Sequence, residues 1–196
     1  MIPLVDRRAF IAGIGGGLLA ASLAAEAQPT GNIDRIGLLS PISQSPGIEA
    51  LREGLRTLGY VEGRNLVIDH RSAEGRFDRL PALADELVRL HVDVIVAVVT
   101  QASLAAKNAT STIPIVMLAV GDPVGAGLVA GLGRPGGNVT GPSGMAVDVT
   151  SKSLELLQQV APKIHLVSVL WNPANAVFQA QMVKATEAAA RSMRIR

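Results

Sequence analysis

PIVMLAVGDPVGAGLVAGLGRPGGNVTG, residues 114–141, is the stretch from which the fold is read. Ile115 to Leu118 is an apolar run too short for a helix, and it breaks at Gly121-Asp122-Pro123, as a buried strand does where it enters a loop. Small and apolar residues from Val124 to Leu132 predict a short helix. A turn cluster, Gly133 to Asn138, then leads into a second β-branched run, Val139-Thr140. The order is strand, polar loop, helix, turn, strand. In an open parallel sheet, ligands bind in the loops beyond the carboxyl ends of the strands. Asp122 lies in such a loop, where it either contacts a ligand or closes the turn through its own backbone, as Asp before Pro does.

Upstream, the same alternation repeats. Arg35 to Ser40 predicts a first strand that ends in a hydroxyl-rich loop, Ser40 to Pro46. Ile48, Leu51, Leu55 and Leu58 recur at helical spacing until Gly59 stops them. Leu66 to His70 predicts a second strand, and Phe77 to Val88 a helix with Pro81 tolerated in its opening turn. Val92 to Val99 is nearly all β-branched, the pattern of a strand buried on both faces. It runs through Thr100-Gln101 into an alanine-rich helix ending at Ala109. Strands that alternate with helices imply a parallel sheet, because parallel neighbours need long crossovers. The expected order of the five strands is 2-1-3-4-5, a flavodoxin-like lobe whose topological switch point lies between the first and third strands. Loops carrying Ser40, Ser43, Thr100, Gln101 and Asp122 then converge on one crevice. Amides opening the helix after the third strand favour a carboxylate or phosphate there. Asp122 can accept from an ammonium group, so an amino acid fits. Each hydroxyl, Ser103 included, has the alternative of a cap or turn bond.

Beyond Gly141 the pattern changes. Pro142-Ser143-Gly144 reads as a hinge. Leu154, Leu157 and Val160 mark a helix, Ile164 to Leu170 predicts a new strand, and Val177 to Met193 a final helix. The expected organisation is an export signal over 1–27, an α/β lobe over 33–142 and the incomplete start of a second α/β lobe over 143–196. The signal rests on Arg7-Arg8, the apolar stretch to Ala25 and the small-residue end Ala25-Glu26-Ala27. It suggests the twin-arginine route and a periplasmic destination, the alternative being an uncleaved anchor.

With 196 residues, no cysteine and a formal net charge of +2, the chain suits one full domain and part of another. No basic run points to nucleic acid. Without cysteine, neither thiolate chemistry nor a lipid anchor on an N-terminal cysteine is expected. No Gly-x-Gly-x-x-Gly follows the first strand, and His70, His91 and His165 are placed too far from Asp122 for an acid–base pair. Hence no enzyme, metal or cofactor is expected.

Six segments together resemble a known family: Tyr60-Val61-Glu62-Gly63-Arg64-Asn65, Phe77-Asp78-Arg79-Leu80-Pro81, Ile113-Pro114-Ile115-Val116, Gly121-Asp122-Pro123-Val124, Arg134-Pro135-Gly136-Gly137-Asn138-Val139-Thr140-Gly141 and Asn172-Pro173. They resemble the substrate-binding components of bacterial ABC transporters, in the type I periplasmic binding-protein branch that includes tryptophan, tyrosine and phenylalanine binders. That resemblance implies two hinged lobes, a ligand trapped between them and delivery to permease subunits in the inner membrane. It implies ligand contacts at Ser40, Ser43, Thr100, Gln101 and Asp122 on the first lobe, and at Asn172 and Asn175 on the second. Trp171 departs from the smaller residue of the family pattern, and either stacks on a ligand or packs internally. The chain is also short for the family, which implies a C-terminally truncated member. A sensory ligand-binding module for a membrane receptor is the alternative role.

Overall fold

Five strands lie side by side in the order β2-β1-β3-β4-β5, every neighbouring pair parallel. The computed structural model describes residues 33–171 and 176–195, and the expected export signal over 1–27 lies outside the described residues. The strands are β1 (Asp34–Ser40), β2 (Leu66–Ser72), β3 (Val94–Val98), β4 (Ile115–Leu118) and β5 (Val139–Thr140). The helices are α1 (Pro46–Thr57), α2 (Leu80–Arg89), α3 (Val99–Ala109), α4 (Ala146–Val160) and α5 (Ala176–Met193). This is the expected α/β lobe in the expected strand order.

Alternation along the strands divides the core between two faces. Ile36 and Leu38 of β1 and Val96 of β3 meet Ile48, Leu51 and Leu55 of α1 on one side. Leu39, Ile95, Ala97, Ile115 and Met117 meet Leu83, Leu87, Ala102 and Ala106 of α2 and α3 on the other. Burying each large aliphatic side chain contributes about 1.5–3 kcal/mol. Local chemistry sets the helix limits. Ser45 caps α1 by accepting from the Ile48 amide at 3.3 Å, with Pro46 in the first turn, and Gly59 leaves the helix at φ +89°.

Two expectations fail here. Residues 124–132 form successive turns rather than a helix, with Ala126 N bonded to Asp122 O and Leu128 N to Pro123 O. Gly125, Gly127 and Gly131 interrupt the run, and Gly127 sits at φ +70°, which a helix does not allow. Residues 164–170 are irregular rather than a strand. Among the described residues no strand lies beside them to satisfy their backbone groups. Ile164 and Val167 pack with Leu154 and Ala189 where α4 meets α5, while Leu166, Val169 and Leu170 stay exposed.

The loop from Arg134 to Gly141 fastens β5 to the sheet. Asn138 Nδ2 donates to Ile113 O at 2.8 Å and Thr110 O at 3.1 Å, tying the entry of β5 to that of β4. Gly141 follows at φ +141°, and a Cβ there would collide with the Met117 carbonyl, so only glycine passes without displacing β4. Asn138→Ala is expected to lower unfolding free energy by about 1–3 kcal/mol, since two partly buried carbonyls lose their donor. Urea denaturation followed by circular dichroism checks this, and a change within error of zero would refute the tie.

Candidate functional site

The carboxyl edge of the sheet is where the chain departs most from relaxed geometry. Among the described residues six non-glycines have positive φ, and four of them lie on this edge: Glu74 (53°), Val99 (70°), Ala119 (54°) and Met145 (45°). For a β-branched residue such as Val99 this is an unfavourable conformation, held only by its surroundings. Val99 turns β3 directly into α3. Consequently β3 is shorter than the run Val92 to Val99 suggests, and Thr100 and Gln101 fall in the first turn of α3.

No side chain caps α3, so its leading amides face the edge without a side-chain acceptor. Thr100 and Ser103 are buried, and Gln101 is partly buried. The Ser103 hydroxyl is occupied, donating to Val99 O at 2.9 Å. Ser40 is also buried and donates to Ile42 O at 2.7 Å. Ser43 donates to Glu74 Oε1 at 3.0 Å. Ser40 thus bonds within its own loop, Ser43 reaches the loop after β2, and Ser103 bonds back along its helix.

Asp122 divides its two oxygens. Oδ1 accepts from the Gly125 amide at 2.8 Å and so closes the turn. Oδ2 has no hydrogen-bond partner among the described residues, and a Cβ at Gly125 would collide with it. Asp122 lines two hollows. One of about 220 Å³ has Pro123, Leu132, Ser143 and Met145 on its walls, and another of about 310 Å³ has residues of α5. The segment leading into α4 is held to this loop by Gly144 N to Val120 O at 2.8 Å and Ala146 N to Gly121 O at 3.0 Å.

Sequence reasoning missed His70. Its Nε2 lies 2.7 Å from Ser40 Oγ, and because that hydroxyl donates to Ile42 O, the ring supplies the proton. The sequence weighed His70 only against Asp122, whereas the structure sets it against Ser40 in the loop after β1. The signal was available in the strand order, since β2 beside β1 puts both carboxyl ends together, with Leu38 opposite His70. His91 and His165 are exposed and away from this edge. Asn172 and Asn175 lie outside the described residues. Trp171 is 45% exposed. Among the described residues no group of three His, Asp or Glu side chains is placed to hold a metal ion, and no helix is long and apolar enough to cross a membrane.

Residues 38–195 match the family described as ABC transporter substrate binding protein. This chain belongs to that family. Among its relatives is a tyrosine-binding protein of Clostridioides difficile, 37% identical over 139 residues, which are 68% of this chain and 39% of that protein. A conserved domain protein from Vibrio cholerae has 33% identity and a TM-score of 0.70 over 84% of this chain and 56% of its own. An ABC domain from Streptococcus pneumonia, solved in complex with L-Trp, has 28% identity and a TM-score of 0.65 over 82% of this chain and 54% of its own. The chain thus spans about half the length of the solved relatives and less of the curated one. The family is one of substrate-binding proteins.

In this family member the His70 imidazole is held below its ordinary pKa, first by burial and then by the charges of Arg52 and Arg71. A histidine that resists protonation only when folded stabilises the fold fully above its unfolded value of about 6.5. That stability is lost as pH falls through the folded value. The melting temperature is therefore expected to drop between about pH 7.5 and pH 5.5. His70→Gln, which can still donate to Ser40, should flatten that slope, and an unchanged slope in the variant would show that another group carries it.

Proposed function

We propose that this protein is the solute-binding component of an ABC importer, capturing a small polar ligand, an amino acid or a close relative of one. The observation that carries this is Asp122: a carboxylate with one oxygen free, lining two hollows on the edge where α3 begins uncapped. An anionic group on one side and open amides on the other match the two ends of an amino acid. The relatives support the same class of ligand, one being named for tyrosine and another solved with L-Trp.

In this proposal Thr100, Gln101 and Asp122 contact the ligand from the first lobe, 33–142. Ser40 and Ser43 set the shape of the adjoining loop. Residues 143–196 begin the second lobe, whose Asn172 and Asn175 close on the ligand from the other side. The leader over 1–27 sends the protein to the periplasm through the twin-arginine pathway, and inner-membrane permease subunits receive the solute. Catalysis is not part of the proposal, since the family is one of substrate-binding proteins.

A thermal-shift screen against the twenty proteinogenic L-amino acids tests this. A ligand at about a hundred times its Kd adds about 2.7 kcal/mol, a rise of roughly 5–10 °C for a domain of this size. Asp122→Asn keeps an acceptor for Gly125 and should melt like the wild type without ligand, yet lose most of the rise. If no amino acid moves the wild-type transition, the proposed ligand class is wrong.

A further inference from the structure

Helix α5 brings four residues of one face against the Asp122 loop. Gln181, Lys184, Ala185 and Ala188 stand at i, i+3, i+4 and i+7, and with Asp122 they line the hollow of about 310 Å³. The two alanines keep the wall low and apolar. Gln181 Oε1 is buried and has no hydrogen-bond partner among the described residues. A buried acceptor left in this way is unusual and calls for a donor. Gln181 is also close to the loop itself, its Nε2 and the Asp122 carboxylate both bordering the space beside Gly125. Lys184 is exposed, and among the described residues neither it nor Asp122 has an ion-pair partner within 4.0 Å. Helix α5 also touches α3, the helix with the uncapped start.

We infer that α5 supplies the second half of a zwitterion site: Gln181 Oε1 and Asp122 Oδ2 together accept from the ammonium group of an α-amino acid, and Lys184 balances its carboxylate. This rests on the proposed amino-acid binding and deepens it by assigning selectivity. A primary ammonium has three N–H donors, enough for both oxygens at once, whereas a hydroxyl has one. The hollow holds one negative and one positive side chain. A bare amine meets Lys184 unfavourably, and a bare carboxylate meets Asp122 in the same way, so only the zwitterion matches both.

The test uses the whole chain, titrated calorimetrically with L-tryptophan and L-tyrosine, then with tryptamine and tyramine, and then with the two corresponding 3-arylpropionates. The wild type should bind the amino acids and bind the amines and acids at least about tenfold more weakly, the ratio equivalent to about one charged hydrogen bond. Gln181→Met removes the acceptor and keeps the length of the side chain, so it should weaken amino-acid binding about tenfold. Lys184→Met should narrow the gap between amino acid and amine. Melting temperatures without ligand show that both variants are folded, and Gln181→Glu, which restores an acceptor, should recover binding. If the wild type binds neither amino acid, the zwitterion site falls together with the reading beneath it. If the wild type binds them and the α5 variants bind equally well, the amino-acid reading stands and α5 has no part in it.

Discussion

Parallel pairing leaves the end of each strand on the opposite edge of the sheet from the start of the next, so each crossover must run back along a face. Here that constraint produces the helices on both faces, the two-sided core and the single edge on which β1, β2, β3 and β4 all finish. Because β1 pairs with both β2 and β3, the crossover from β1 runs outward to β2 and that from β3 runs the other way to β4, so the two part between the carboxyl ends of β1 and β3. The space between them is a consequence of connectivity and needs no special residues to open it. What the residues add is chemical character.

That character is built by restraint. Left-handed turns at Glu74, Val99, Ala119 and Met145 force abrupt departures from the sheet, and the hydroxyls nearby are spent on fastening them. Ser40, Ser43 and Ser103 each donate to a loop or helix atom. His70 adds a strap from the neighbouring strand, kept neutral by burial and two arginines. Among the described residues, what the proposed site adds to this frame is Oδ2 of Asp122, the uncapped start of α3 and the face of α5. A binding site whose frame is already ordered holds a ligand at low entropic cost.

Much of the lobe could be read from the chain because its signals are local. β-branched runs marked the strands, Gly59 and Ser45 marked the limits of α1, and alternation with helices implied the parallel order. The misreadings have a common origin in context. Val124 to Leu132 has helical composition, but three glycines and the Asp122 turn make the coiled path better. Ile164 to Leu170 has strand composition, yet a strand is a property of a pair, and the described residues offer no partner. The Ser40–His70 bond joins residues thirty apart, invisible to any spacing rule without the strand order applied to side chains. Asp122 was legible as a candidate, whereas its split between turn and ligand face needed coordinates. Gln181 had no signal in an alanine-rich helix.

The irregular run beyond α4 has a practical side. It ends at Trp171, the only tryptophan in the chain and nearly half exposed. Intrinsic indole emission therefore reports on this one place. Unfolding that exposes it further shifts the emission to the red, while a chain or ligand that covers the run shifts it to the blue. The direction of the shift thus separates loss of the fold from cover over this run.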